Sequence, residues 1–239
     1  ECAIYQGTDP ASNFAIVSRF DMGASIGRRC LTKVGSDLAV LCMDGVLPLS
    51  RAIVTDRAAS LLQSITKNIK PDMNMAARAH KSNFGWQLTP YPRGTRAILN
   101  IPISEGVEQE QYVMNTVTGA WCRFTEENAN CWAVFQDRLF YGGNDGRVYE
   151  ADAQGFDEGS AIPFDMETAF NYCGSRGRLK EFTMCRPLLT SDGSITPTLA
   201  VNVDFGRLSP GNSVEFEQSS AAQWDVAQWD VDVWPEERD

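Results

Sequence analysis

The sequence predicts an all-β fold in which antiparallel sheets form propeller-like blades, with one helical insertion. Short runs of branched and aromatic residues alternate with turn residues along most of the chain, which is typical of strands. One such strand group also occurs twice, and the apolar period changes to a helical one after Thr55. Together these observations favour a repeated β architecture that is interrupted once.

The stretch from Gln111 to Asp152 shows the strand pattern most clearly. It reads QYVMNTVTGAWCRFT, ENANCWAVF and QDRLFYGGNDGRVYEAD, with turn residues at Thr118-Gly119 and Asp145-Gly146. Turn residues at this spacing indicate β-hairpins.

The same pattern occurs 101 residues earlier. LAVLCMDGVL, which begins at Leu38, aligns with LFYGGNDGRV, which begins at Leu139, so that Asp44-Gly45 matches Asp145-Gly146. The interval holds two units of roughly 50 residues, near the period of a four-stranded propeller blade. Although Asp-Gly after an apolar run is common, we expect the two pairs to occupy equivalent hairpin turns.

The length of 239 residues and the hydrophobic fraction of 43% allow one large domain with a buried core. We expect a propeller-like β domain over residues 1–203 and, over 204–239, an acidic Trp-containing segment that begins a further β region. Because the chain begins within a strand group, we expect residues to be missing at an end. No apolar run approaches the roughly 20 residues of a membrane-spanning helix, so we expect no membrane segment.

The amino-terminal residues predict two strands and then a complete strand group. The expected strands are Cys2–Gln6, Phe14–Phe20, Cys30–Val34, Asp37–Met43 and Val46–Leu49.

The helical insertion is expected between residues 56 and 81. An apolar stripe at helical spacing contains Ala58, Leu61, Leu62, Ile65 and Ile69. Thr55 or Asp56 is the expected N-cap of this helix. Pro71 suits the first turn of a second helix over Asp72–His80. On one face of the second helix we expect Met73, Ala76, Ala77 and His80.

After the insertion the strand pattern resumes. The expected strands are Trp86–Pro90, Arg96–Ile103, those within Gln111–Phe124, Arg138–Tyr141 and Arg147–Glu150. Beyond an acidic loop over residues 152–160, further strands are predicted at Ala161–Tyr172, Glu181–Thr190 and Thr196–Asp204.

Charge is distributed unevenly along the chain. Residues 204–239 carry a net charge of −7 out of the total of −10, whereas residues 57–81 carry +4. A second basic patch contains Arg176, Arg178 and Lys180. Solvated surface charge is one interpretation of both patches, and a protein interface is the other.

The carboxyl-terminal segment repeats Ala-Gln-Trp-Asp-Val, so that tryptophans recur every five residues. Packing of these tryptophans against the domain and contact with a partner both remain open. The interface candidates of the whole chain are Arg57, Leu61, Leu62, Lys67, Lys70, Arg78, Arg176, Arg178, Lys180, Trp224, Trp229 and Trp234.

The sequence predicts neither a metal site nor a cofactor. The seven cysteines form no CxxC pair, and we expect them to be reduced thiols made in a reducing cytosol, with Cys42 and Cys122 buried. The single histidine, His80, excludes the usual zinc ligand patterns. The acids of residues 152–158 lack the alternate spacing of a calcium loop, and GSRGRLK lacks the spacing of a phosphate-binding loop.

Catalytic signatures are also missing from the sequence. It contains no GxSxG or HExxH motif, and only His80 could serve a Ser-His-Asp triad. We therefore expect no active site and no enzyme activity.

Several of these stretches resemble structural proteins of short-tailed bacteriophages and prophages. They are GRRCLTKVGSDLAVLCMDGVLPLS, NFGWQLTPYP, QYVMNTVTGAWCRFT, FQDRLFYGGNDGRVYEAD, GSRGRLKEFTMCRPLLTSDG and WDVAQWDV. The nearest functional relatives are the tail hub or nozzle proteins, which carry a β-propeller and form a ring below the adaptor.

This resemblance implies a virion component of the phage tail that is assembled in the bacterial host cytoplasm. Its partners would be further copies in a homo-oligomeric ring such as a hexamer, and other tail proteins such as the adaptor and fibres. Double-stranded DNA would pass without sequence-specific contact during ejection. Two alternatives remain open on the residues: a propeller-type glycan or receptor-binding module, and a glycoside hydrolase that uses paired carboxylates.

Overall fold

The computed structural model describes residues 2–54, 56–153, 156–157, 160–185, 187–189 and 197–207. The chain divides into two compact units, residues 1–162 and 163–239. The division lies before the predicted boundary between residues 203 and 204. Small antiparallel sheets dominate the described residues, which confirms the all-β fold class.

The first unit begins with a separate hairpin of β1 (Cys2–Gln6) and β2 (Ala15–Phe20). Most of its residues are exposed, and Tyr5 stacks on Phe14 with ring centroids 5.1 Å apart. Two strands alone are marginally stable. The loop adds local order, because the Asn13 side-chain oxygen accepts hydrogen bonds from two backbone N–H groups.

Three larger sheets follow in chain order, and each is an antiparallel meander. Sheet A contains β3 (Leu31–Val34), β4 (Asp37–Cys42) and β5 (Gly45–Pro48). Sheet B contains β6 (Gln87–Tyr91), β7 (Arg96–Ser104), β8 (Glu108–Asn115) and β9 (Trp121–Phe124). Sheet C contains β10 (Ala129–Phe135), β11 (Arg138–Gly143) and β12 (Val148–Ala151). A short hairpin follows, of β13 (Phe156–Asp157) and β14 (Ser160–Ala161).

Sheets A and C share the register of their first hairpin. Val34 pairs with Asp37, and 101 residues later Phe135 pairs with Arg138. Both Asp-Gly pairs lie at the connection between the second and third strands. The connections differ, since Cys42 pairs with Gly45 across two residues, whereas Asp145-Gly146 lies in a longer loop.

The helical insertion is less regular than the sequence predicts. It contains α1 (Leu49–Ala52), α2 (Arg57–Ser60), two 3₁₀ turns (Leu61–Gln63 and Lys67–Ile69) and α3 (Lys70–His80). The prediction of one amphipathic helix running through Ile69 is therefore wrong.

Two finer predictions for the insertion are confirmed. The Asp56 carboxylate accepts a hydrogen bond from the Ala58 backbone N–H at 3.3 Å and so caps α2. Pro71 lies in the first turn of α3, whose buried residues are Met73, Ala76 and Ala77. His80 is half-buried, and its carbonyl accepts a hydrogen bond from the Trp86 indole at 2.8 Å.

Sheet B is covered on both faces, and its strand β7 is accordingly apolar at nearly every position. Ala97, Leu99 and Ile101 face one core, and Ile98 faces the other. The first core also takes Leu41 of sheet A and residues of α3, and the second takes residues of sheet C. Sheet B thus lies between sheet A with α3 on one side and sheet C on the other.

The first strands of the three sheets are neighbours, because β6 contacts both β3 and β10. Between sheets A and B, Arg29 and Gln87 form a parallel bridge, and the Thr32 hydroxyl donates to the Leu88 carbonyl at 2.8 Å. Between sheets B and C, the side-chain amide of Gln87 donates to the Trp132 carbonyl at 2.8 Å. Its oxygen accepts a hydrogen bond from the Trp132 backbone N–H at 3.1 Å. A side chain therefore takes the role of a strand partner.

The second unit corrects three strand predictions. Within the predicted strands Ala161–Tyr172, Glu181–Thr190 and Thr196–Asp204, the described residues are non-strand apart from Ala161 and a bridge position at Thr198. The alternation of apolar residues is present, but Phe164 is 85% exposed, so no strand among the described residues covers it. A period-two pattern forms a strand only where backbone partners exist.

Candidate functional site

The candidate site is a groove between the β4–β5 turn and the helical insertion. It encloses about 270 Å³. Its lining residues are Met43, Asp44, Leu61, Lys70, Asn74 and Arg78. Three of these, Leu61, Lys70 and Arg78, are interface candidates from the sequence. We call this feature the insertion groove.

The wall of the insertion groove is fixed by hydrogen bonds to β5. The Ser64 hydroxyl donates to the Val46 carbonyl at 3.0 Å, and the Val46 N–H donates to the Thr66 hydroxyl at 3.2 Å. The Ile65 N–H also donates to the Val46 carbonyl. These contacts hold residues 64–66 against β5, and they replace the intrahelical bonds that a continuous helix would need.

Gly45 permits this close approach. A Cβ at position 45 would lie 2.4 Å from the Thr66 hydroxyl oxygen, and the residue has a φ of +108°. Both the conformation and the space therefore require glycine.

Arg57 is bound within the fold. Its guanidinium donates two hydrogen bonds to the Asp44 carboxylate, at 2.9 and 3.1 Å. The hydrogen bond that Arg57 donates to Asp44 raises the pKa of Arg57, and the charge of Asp44 acts in the same direction. Arg57 therefore neutralises Asp44 at the edge of the groove.

Three other cations of the insertion point to solvent. Lys67, Lys70 and Arg78 are exposed, and among the residues that the structure describes none of them has an ion-pair partner. Leu62 is 76% exposed, whereas Leu61 is half-buried. The structure thus brings Leu61, Lys70 and Arg78 together at the groove, while Leu62 stays on the outer surface.

The second basic patch lies in the second unit. Arg176 lies over the Tyr172 ring at 4.9 Å, and the Lys180 ammonium donates to the carbonyls of Tyr172 and Ser175. Arg178 is exposed. Two of the three cations thus have contacts within their own segment, and the predicted patch does not form one uniform surface. The remaining interface candidates, Trp224, Trp229 and Trp234, lie outside the described residues.

A buried polar network between sheets B and C is missing from the sequence predictions. Asn100 is fully buried, and its side-chain oxygen accepts from the Gln111 amide at 2.9 Å and the Trp132 indole at 3.0 Å. Its amide donates to the carbonyls of Gly85 and Ala129 at 2.9 Å. The one signal in the sequence is an asparagine within the apolar run ILNIPI.

Ion pairs fix the ends of the strands in sheets B and C. Arg96 donates to Asp152 at 2.7 Å, so this acid of residues 152–158 is paired with an arginine. The Arg138 guanidinium binds Glu150 and lowers the pKa of that carboxyl. Within the described ranges, no group of three His, Cys, Asp or Glu side chains could hold a metal ion. No helix in the part of the chain that the structure describes has the length and apolar character to cross a membrane.

Comparison with known proteins returned no match to a family model, to a curated protein or to a solved structure.

Proposed function

We propose that the chain is a structural component of a short phage tail, a hub or nozzle subunit whose blades form part of a ring around the DNA-ejection path. The proposal combines the resemblance of the sequence stretches given above with the arrangement of sheets A, B and C. It places the protein in the virion, after assembly in the bacterial host cytoplasm.

The observation that carries the proposal is the adjacency of β3, β6 and β10. Each is the first strand of its own meander, and β6 contacts the other two. In a β-propeller the innermost strands of successive blades are neighbours around a central axis, and the blades pack face to face. The burial of both faces of sheet B supports the same arrangement.

Ring assembly accounts for the uneven charge. A subunit that carries a basic insertion and an acidic carboxyl-terminal segment gains orientation when opposite charges meet across neighbouring copies. Duplex DNA would pass without sequence-specific contact, since a path that binds phosphates tightly would retard it.

The proposal is tested by the mass and shape of the purified full chain. Light scattering and electron microscopy should show a closed ring with a channel wide enough for duplex DNA. An antibody against the chain should label the tail end of phage particles from the host. A chain that stays monomeric at all concentrations, together with particles that lack it, would contradict the proposal.

The two alternatives are tested in parallel. A glycan array would detect the binding module, and release of reducing sugar from polysaccharides would detect the hydrolase. A heat-inactivated sample serves as the control for both. A positive result in either assay without ring formation would replace the structural assignment.

A further inference from the structure

We propose that the insertion groove binds the acidic tryptophan segment, residues 215–239, of a second copy of this chain. The contact depends on the chemistry of the two surfaces and not on the phage assignment.

The groove offers an apolar base between cations. Met43 and Leu61 supply the apolar surface, while Lys70 and Arg78 lie on α3 beside it. The thioether of a methionine adapts to flat aromatic rings. Asp44, the acid that lines the groove, is already paired with Arg57, so it repels an incoming carboxylate less.

Other charges near the groove leave it cationic. Asp72 in the first turn of α3 opposes Lys67, Lys70 and Arg78. Asp21, whose charge acts on Arg57, is also near, and two acids against three exposed cations still leave an excess of positive charge for a ligand. Coulomb attraction between exposed groups is weak at any one pair, about 0 to 1 kcal/mol, so several carboxylates are needed for it to matter.

The acidic segment has the complementary pattern. Residues 215–239 hold eight acids and one arginine, a net charge of −7. Both copies of Ala-Gln-Trp-Asp-Val place an aspartate directly after the tryptophan, at Trp224-Asp225 and Trp229-Asp230. An indole on Met43 and Leu61 would lie within reach of the Arg78 guanidinium for a cation–π contact, and the adjacent carboxylate would pair with Lys70.

The occupant is a second copy because both halves of the contact are present in each chain. A groove on one subunit and a segment on the next form a heterologous contact, which repeats from copy to copy and closes into a ring when the rotation permits. Buried tryptophans and arginines supply most of the affinity in such contacts, and the outer charges select the partner.

The test uses a labelled peptide of residues 211–239 and full-length protein. The W224A/W229A/W234A variant removes the tryptophans of its own segment, and fluorescence anisotropy measures peptide binding to it. Adding K70S/R78S should weaken binding at least tenfold. Adding R28S/K33S, which removes the same charge from exposed positions outside the groove, should leave it within about twofold.

Further measurements distinguish this segment from other possible ligands of the insertion groove. A peptide with all three tryptophans replaced by alanine should bind at least tenfold more weakly, and a short DNA duplex should not displace the peptide. Sedimentation velocity of the wild type should show an oligomer that K70S/R78S converts to smaller species, while circular dichroism shows that the variant is folded.

Four outcomes would overturn the proposal. Equal loss in R28S/K33S would mean that only net charge matters, and displacement by DNA would make the groove a phosphate site. A wild type that remains monomeric and binds the peptide much more weakly than the tryptophan-free variant does would mean that the segment covers the groove of its own chain. Rings that persist in K70S/R78S would overturn this contact while leaving the proposed function intact.

Discussion

Cys42 and Cys122 lie in strands that differ in surroundings. Cys42 has no exposed surface and its thiol donates to the Gly45 carbonyl at 3.3 Å, whereas Cys122 is exposed on the edge strand β9. The prediction that both are buried is therefore confirmed for Cys42 and wrong for Cys122. An apolar neighbourhood in sequence does not reveal which face of an edge strand is covered.

We expect the thiol of Cys42 to resist alkylation in the native protein. Burial raises its pKa to about 11, which removes the reactive thiolate at neutral pH, and also blocks access. Peptide mapping by mass spectrometry after iodoacetamide treatment should find Cys122 labelled in the native protein and Cys42 only in denaturant. Exposed Cys173 is the control, and native labelling of Cys42 at the rate of Cys173 would contradict the expectation.

Replacement of Asp37 by asparagine should reduce stability at neutral pH and lose its effect in acid. The Asp37 carboxylate accepts from the Ser50 hydroxyl at 2.5 Å, the Leu38 N–H at 2.8 Å and the Ser50 N–H at 3.2 Å, which joins β4 to α1. The Ser50 hydroxyl is the largest cause of the lowered pKa.

Because the folded pKa is lowered, the stabilisation is present above the unfolded pKa of about 3.9 and is lost as pH falls through the folded pKa. The unfolding temperature Tm of Asp37→Asn should be lower than that of the wild type at pH 7, and this difference should become smaller toward about pH 3. Asp21→Asn, at an exposed position, is the matched control. A difference in Tm that stays constant across this pH range would show that the charge of Asp37 is not the cause of the lost stability.

At the scale of single elements, the strands of sheets A and B are the features that the sequence predicts best. β4 ends only one residue before its predicted end, and β7 extends only one residue beyond its prediction. Alternation and turn residues are local signals, so they need no knowledge of the fold. α2 stops early for the opposite reason, since the hydrogen bonds of Ser64 and Thr66 with Val46 join residues far apart in sequence.

The Asn100 network should dominate the cohesion between sheets B and C. Asn100→Ala would leave buried partners of four hydrogen bonds unsatisfied, each costing about 1 to 3 kcal/mol, so we expect a loss of at least roughly 3 kcal/mol. Chemical denaturation measures the free energy of unfolding. Asn13→Ala, at an exposed turn, should cost roughly 1 kcal/mol or less. Similar losses in the two variants would show that water replaces Asn100 without cost.

At the scale of the whole molecule, the insertion groove could be predicted only in part. Charge counting and helical spacing indicate the basic insertion, because both are properties of one continuous segment. The pairing of Arg57 with Asp44 brings the β4–β5 turn against α2, and no local pattern predicts that contact. The second unit shows the same limit, since its apolar alternation at Phe164 has no strand to pair with in the described residues.

Salt should slow assembly more than it dissociates finished assemblies. Opposite charges on the insertion and on residues 204–239 attract over distances near the Debye length of about 10 Å at 0.1 M salt, and this attraction acts mainly on encounter. Stopped-flow light scattering across a salt series should give a steep fall in the association rate and a shallow change in dissociation. The K70S/R78S variant should show an association rate that depends less on salt concentration. Equal slopes for both rates would remove charge steering from assembly.

The contact between sheets A and B and the contact between sheets B and C should respond differently to mechanical force. Apart from the Arg29–Gln87 bridge and the Thr32–Leu88 hydrogen bond, sheet A meets sheet B through apolar side chains such as Leu41 and Leu99, which can slide because their attraction has no direction. Sheet B meets sheet C through an apolar core and, in addition, through Gln87 and Asn100, whose hydrogen bonds weaken steeply once their angles open. Under a stretching force, the contact between sheets A and B should therefore deform gradually, whereas the hydrogen bonds between sheets B and C should break abruptly. The side chains along β6 and β7 thus set the order in which the two contacts fail.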